Sequence, residues 1–271
     1  IHFIKGDVGD CNLIDNLKFE VDIIFHFAAQ SSNEGSFDNN IYDLNTNSKG
    51  TILLLNYAKR VNCKRIIFTS TCSVYGGVNK DKQCYSEEDK TDPKAFYAIN
   101  KLSSEKYFEL YNKNYNINYT IFRLFNCYGP YQNLMNMKQG MVSIFIKQLL
   151  SNDYPQIIVK GGLERTRDLV YVEDVVRIIF DSVNNSKFDN KIFNLGTGVQ
   201  NTIEYLLNLL MKNIKEKKIL IEGNTPGDMN QLYANNSKLQ KIYDNNFNFT
   251  SLDIGIKKTC EHYLSNYIID K

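Results

Sequence analysis

KRIIFTSTCSVYG, residues 64–76, decides how this chain is read. Arg65-Ile66-Ile67-Phe68 is an unbroken apolar run of the kind found in strands that helices cover on both faces. It then stops on hydroxyls: Thr69, Ser70, Thr71 and Ser73, with Cys72 among them and no acid. In open α/β sheets ligands bind beyond the carboxyl ends of the strands, so a buried strand ending on hydrogen-bonding groups marks a site as well as a fold.

The rest of the chain repeats the pattern. Apolar strands are predicted at 1–5, 22–28, 64–69, 119–125 and 191–195, and helices at 40–61, 98–115, 140–150, 172–184, 202–212 and 251–264. Ile52, Leu55, Tyr57 and Ala58 recur at helical spacing, as do Val175, Val176, Ile179 and Phe180, and both sets are expected in the core. This alternation predicts an α/β fold with a parallel sheet. The strands end on Gly6-Asp7-Val8, Ala28-Ala29-Gln30, Thr69 to Ser73 and Asn126, a row of small and polar residues along one edge. After Pro130 the strands shorten (156–160, 218–222) and a turn, Pro226-Gly227, appears, so a second, smaller lobe is expected.

Composition narrows the function. With 43% hydrophobic residues and a net charge of +2, the chain is globular and offers no electrostatic reason to bind nucleic acid or an anionic membrane. No apolar run reaches the ~18 residues of a membrane span. Six cysteines without C-x-x-C spacing and three histidines argue against a zinc site and for reduced thiols in the cytoplasm. Ile1 opens what reads as a strand already under way, so the chain is expected to be the downstream part of a longer protein.

Tyr97 and Lys101 form Y-x-x-x-K in PKAFYAINKLSSE, four residues apart and so on one helix face. The spacing alone is weak, since Tyr267 and Lys271 also match it; the strand of hydroxyls before and Arg123-Leu124-Phe125-Asn126 after single out Tyr97. A phenol of pKa ~10 needs about 4 kcal/mol to act as a base near neutrality. An ammonium about 4 Å away at an effective dielectric of ~20 supplies roughly that. Lys101 is therefore expected to hold Tyr97 ready to take a proton from an alcohol.

With these motifs the chain resembles the extended short-chain dehydrogenase/reductases, within them the NAD-dependent nucleotide-sugar epimerases and dehydratases. The resemblance runs through Gly6-Asp7-Val8, His26-Phe27-Ala28-Ala29-Gln30, Asn47-x-x-Gly50-Thr51, Thr71-x-x-Val74-Tyr75-Gly76, Tyr97-x-x-x-Lys101, Arg123-x-Phe125-Asn126-x-Tyr128-Gly129-Pro130, Thr166-Arg167-Asp168-x-Val170-Tyr171, Asn194-Leu195-Gly196 and Pro226-Gly227-Asp228. It implies a Rossmann-type doubly wound parallel sheet, lacking its N-terminal strands, over residues 1–130. A smaller C-terminal α/β substrate lobe over 131–271 is implied too, with segments around 165–197 returning to the first domain. NAD is the implied cofactor, held by Asp7, Val8, Phe27, Ala28, Ala29, Gln30, Asn47, Thr69, Tyr97, Lys101 and Leu124. Tyr97, Lys101 and Thr71 are the implied catalytic residues. Thr71, Asn126, Arg167 and Asp228 would meet the UDP-sugar, Arg167 as a bidentate phosphate ligand; the alternative for Arg167 is a surface ion pair with Asp168 or Glu164. A homodimer through the Tyr97 helix and the one before it is also implied.

Dehydratases of this family resemble Thr-Asp-Glu-Val-Tyr-Gly where this chain has Thr71-Cys72-Ser73-Val74-Tyr75-Gly76. A serine and a thiol of pKa ~8.5 do not replace a paired acid and base. What remains exchanges one hydride and one proton, which points to a UDP-glucose 4-epimerase-like reaction. Another reaction of the family (4-keto reduction, decarboxylation or dehydration) and a non-catalytic NAD-binding or truncated product stay open. The family's G-x-x-G-x-x-G loop is absent and expected upstream, and residues 1–5 would then lack a sheet neighbour, so this chain alone is expected to bind NAD poorly and to be unstable. No arginine precedes Gly227-Asp228, which leaves the second phosphate cation unassigned.

Overall fold

A computed structural model describes residues 1–77, 84–224 and 231–266. The chain divides into two compact units: 1–76, 90–124 and 179–193 in the first, 77–89, 125–178 and 194–271 in the second.

The first unit is built on a four-stranded sheet in the order Ile23–His26, Arg65–Thr71, Asn118–Leu124, Lys191–Leu195. The first three pair in parallel, with Ile24 opposite Ile66 and Phe68 opposite Ile121. The fold is thus α/β and Rossmann-like. Residues 1–5, read as a strand, form none, and Ile1 and Phe3 lie exposed. Ile23–His26 is consequently an edge strand, and its Phe25 faces solvent.

The predicted helix at 40–61 has three parts: Asn40–Asp43, a π-helical stretch Leu44–Lys49, and Gly50–Arg60. The wider turn puts Thr46, Asn47 and Ser48 inside together. Helix Phe96–Tyr115 ends on Asn116 in the left-handed conformation and turns an unusual face inward: Tyr97, Asn100, Lys101, Ser104 and Glu105 beside Ala98 and Phe108. Leu55, Ala58, Ile66, Phe68, Phe108 and Ile121 form the apolar core that holds this helix to the sheet. Beneath it Arg123 donates from Nη2 to Glu105 Oε2 (2.7 Å) and from Nε to Oε1 (3.1 Å), and its Nη1 reaches Tyr75 Oη at 3.0 Å. Both charged side chains are almost wholly buried, at 4% and 0% exposure.

In the second unit, helices Met141–Leu150, Ile203–Asn213 and Leu252–Asn266 enclose a core that includes Ile146, Leu149, Ile157, Val159, Leu207, Leu210 and Ile256. Its strands pair in twos: Gln156–Val159 with Lys218–Ile221, Asn126–Tyr128 with Leu169–Tyr171, Cys84–Tyr85 with Tyr233–Ala234, and Thr166–Arg167 with Asn201–Thr202, of which the last is antiparallel. On helix Val172–Asp181 the expected core stripe is narrower. Val175 and Ile179 are buried with Ile178, whereas Val176 and Phe180 are 59% and 74% exposed, one position further round.

Replacing Arg123 by Leu leaves the Glu105 carboxylate buried without its counter-charge and is expected to cost about 3–5 kcal/mol in urea unfolding. Replacing both Glu105 and Arg123 by Leu should cost much less than that single change.

Candidate active site

The carboxyl end of strand Arg65–Thr71 is where the hydroxyls gather. Ser70 turns to Glu105 Oε1, while Thr71 caps the following turn, Cys72–Tyr75, by accepting from Ser73 N at 3.1 Å. The turn closes on Gly76 (φ 72°), where a Cβ would lie 1.4 Å from the Asp92 carbonyl oxygen, so only glycine fits. Asp92 N in turn donates to Val74 O at 3.0 Å, tying the loop before the Tyr97 helix to the turn after Thr71. This pinning brings Tyr97 near Thr71, whose hydroxyl favours the ionised phenol.

Lys101, one helical turn on, is 2% exposed and holds its ammonium 3.9 Å from the centre of the Phe68 ring. Burial draws its pKa down to about 7, against the opposing charges of Glu105 and Asp43. Burial raises the Tyr97 phenol above its ordinary value; the Thr71 hydrogen bond works against this, and Cys72 and Asp43 add to it. Desolvation is the largest influence on the phenol, and Lys101 is not among the groups that move it.

The other candidates of the first unit lie on its loops, helices and strand ends. Asp7 is exposed and accepts from Gly9 N at 2.7 Å, and a Cβ on Gly50 would sit 2.9 Å from Val8 Cγ1. Phe27 is half-exposed against Phe25, Ala28 is exposed, and Ala29, Gln30, Thr69 and Leu124 are partly buried. Asn47 Nδ2 donates to Gln30 O at 2.9 Å. Thr46 Oγ1 and Asn47 Oδ1 are buried with no partner.

His26 was legible only as part of a motif. Its Nε2 lies 2.9 Å from Thr51 Oγ1, which itself donates to Asn47 O at 2.6 Å, so Nε2 carries the proton and donates. Nδ1 is left as a buried acceptor without a partner, and burial, aided by Lys101, lowers the imidazole pKa to about 3.

In the second unit Asn126 Nδ2 donates to Asp168 O at 3.1 Å, and Arg167 is 8% exposed with Nη1 on Thr166 O at 2.8 Å. Arg167 is thus a buried rather than a surface side chain. Asp168 is occupied otherwise: its carboxylate accepts from Thr197 N and Oγ1, Gly198 N and Ala234 N at 2.7–3.0 Å. Asp228 lies outside the described residues, as do Pro226-Gly227 and the second Tyr-Lys pair, 267 and 271. Among the described residues no cluster of His, Cys, Asp or Glu could hold a metal, and no helix is long and apolar enough to cross a membrane.

The profile of the NAD dependent epimerase/dehydratase family matches residues 1–196. The chain belongs to that family. It is 30% identical to a dTDP-D-glucose 4,6-dehydratase of Mus musculus, over 98% of this chain and 74% of the relative. It is 29% identical to UDP-glucuronate 4-epimerase 1 of Arabidopsis thaliana, over 98% and 65%. Among solved structures, the UDP-glucose 4-epimerase of Thermotoga maritima with UDP-glucose superposes with a TM-score of 0.88 at 29% identity, over 97% of this chain and 84% of the other.

The family's cofactor is NAD. The first unit fits such a group: small Ala28 and Ala29 at a strand end, an outward Asp7 carboxylate, a buried ammonium, and orphaned polar atoms on Thr46 and Asn47.

An unfolded chain protonates His26 near 6.5 and the folded one only near 3, so the unfolded state binds the extra proton between these values. His26 thus removes stability as pH falls through that window, by on the order of 1 kcal/mol per pH unit. In urea unfolding at several pH values, His26→Gln should lose stability less steeply than the wild type over this window.

Proposed function

We propose that this protein epimerises carbon 4 of a UDP-hexose by transient oxidation to the 4-keto sugar, in the manner of a UDP-glucose 4-epimerase. The observation that carries this reading is the buried Tyr97 and Lys101 on one helix face, with Thr71 at a strand's carboxyl end and Cys72 and Ser73 as the next two residues in place of carboxylic acids. Similarity to UDP-sugar 4-epimerases supports it.

NAD, when bound, supplies the hydride acceptor and donor. Asp7 and Val8 would hold its adenosine end, Phe27, Ala28, Ala29 and Gln30 its middle, Asn47, Thr69 and Leu124 its surroundings, and Lys101 a ribose. Thr71 hydrogen-bonds the sugar's 4-oxygen and Tyr97 takes its proton, then gives it back. For Tyr97 to do so its pKa must come down from the raised value that burial imposes, which requires further positive charge near the phenol. Arg167, Asn126 and Asp228 would contact the nucleotide and sugar, the guanidinium binding phosphate oxygens.

Dehydration is the second reading, favoured by the Mus musculus relative; it needs an acid and a base that Cys72 and Ser73 do not provide. Free cysteines support a cytoplasmic location. A homodimer is supported by exposed apolar residues on the two helical segments concerned: Ile41, Tyr42 and Leu44, and Phe96, Ile99 and Leu110.

Mixed with NAD and UDP-galactose, the protein should form UDP-glucose. Failure to epimerise UDP-galactose, UDP-N-acetylglucosamine or UDP-glucuronate, or release of a 4-keto-6-deoxy product from dTDP-glucose, would overturn the assignment. Tyr97→Phe should lower kcat by ~10²–10⁴-fold with an unchanged circular-dichroism spectrum, and Arg167→Met should act mainly by raising KM. Light scattering should give twice the chain mass, falling to one chain in Ile99→Glu.

A further inference from the structure

We propose that strand Lys218–Ile221 is a self-pairing edge, at which a second copy of this chain lays the same strand antiparallel across a twofold axis.

This strand pairs in parallel with Gln156–Val159 and, among the described residues, with no other strand. The two outer edges of the ribbon differ. On the Gln156–Val159 side the buried Gln148 carboxamide stands where a neighbouring strand would: its Oε1 accepts from Ile158 N at 2.6 Å and its Nε2 donates to Ile158 O at 3.5 Å. The opposite edge lies in solvent, with Leu220 and Ile221 at 38% and 53% exposure and Lys218 and Glu222 exposed at its ends. An apolar edge left open in this way is a template for another strand.

Which backbone groups face out follows from the ladder. Glu222 N donates to Val159 O at 2.9 Å, and backbone direction alternates along a strand. The N–H and C=O groups of 218, 220 and 222 therefore point to Gln156–Val159, and those of Ile219 and Ile221 point to the open edge. Side chains alternate too. Ile219 packs against the core, so Lys218, Leu220 and Glu222 share the other face.

Together these facts fix a register. Antiparallel pairing centred on Leu220 sets Ile219 opposite the partner's Ile221, a pair that exchanges both its backbone hydrogen bonds, and the twofold axis repeats it. Leu220 then meets the partner's Leu220, and Lys218 meets the partner's Glu222, at the non-hydrogen-bonded positions where side chains approach most closely. Lys218-Ile219-Leu220-Ile221-Glu222 is thus its own complement in charge when reversed. Centring on Ile219 or Ile221 instead would leave Lys218 or Glu222 opposite a leucine. A self-complementary patch of this kind closes on two copies.

The strand belongs to the second unit, whereas Ile41 and Ile99 of the homodimer proposed above belong to the first, so the two contacts are independent. A contact of one short strand per copy falls below the ~1,200 Å² of stable interfaces, so the pairing belongs to concentrated protein and leaves the mass in dilute solution unchanged.

The test is sedimentation equilibrium of the full chain from about 10 μM to about 1 mM, the upper end matching a Kd on the order of 1 mM. The weight-average mass should rise by about half or more over its dilute value, and the Ile219 and Ile221 amides should gain protection from hydrogen exchange as concentration rises. Lys218→Glu sets a second carboxylate opposite Glu222, and Glu222→Lys a second ammonium opposite Lys218; each alone should weaken association about tenfold, removing most of the rise. The double variant Lys218→Glu/Glu222→Lys restores opposite charges and should associate as the wild type does. An equimolar mixture of the two single variants should also associate, through mixed pairs. A wild-type mass that stays flat, a rise without protection of Ile219 and Ile221, single variants that associate like the wild type, or a double variant and mixture that do not recover would each overturn the proposal. Should one single variant fail to fold, the other and the double variant decide. No turnover is measured, so the result stands apart from the epimerase reading.

Discussion

A helix that buries its polar face constrains everything around it. Phe96–Tyr115 presses Tyr97, Asn100, Lys101, Ser104 and Glu105 toward the sheet, and each must find a partner or cost the unit stability. The first unit is arranged to supply them. Arg123 comes from the neighbouring strand for Glu105, Asp43 from the helix before for Asn100, Thr71 from the strand end for Tyr97, and the Asn47 carbonyl for Ser104. The apolar contacts of Phe68 and Phe108 carry the packing, and the polar contacts fix the register of the helix on the sheet.

The same burial shapes the chemistry. Desolvation pushes the phenol of Tyr97 up and the ammonium of Lys101 down, so in this chain both lean toward their neutral forms. A base that works near neutral pH must be drawn away from that resting point by charge. Asp43 pushes the phenol further up and the Glu105–Arg123 pair largely cancels itself, so the charge that lowers it must be positive. In the second unit Asp168 shows the opposite solution, a buried carboxylate satisfied by backbone N–H groups and a threonine hydroxyl.

Relatives that epimerise and relatives that dehydrate share this scaffold, so the scaffold does not choose between the reactions. On the proposed epimerase function, the choice lies in a few side chains after Thr71. Here they are Cys72 and Ser73, both buried in a tight turn that Gly76 closes, and neither is an acid.

Strand positions, helix positions and the Tyr97–Lys101 motif were legible along the chain because they rest on local periodicity: apolar runs such as 65–68, and a four-residue spacing that any helix places on one face. Other features depend on partners far away in the chain. Residues 1–5 have a strand's composition and no strand to pair with, and Val176 and Phe180 have core spacing on a helix whose buried stripe stops one position short. The π-helical turn, the His26–Thr51 bond and the Asp43–Asn100 bond could not be seen in sequence, since polar residues at those positions read equally as surface. The order of residues determined which elements form and which chemical groups they carry. Packing alone decided which of those groups lose their water, and that loss sets their charge.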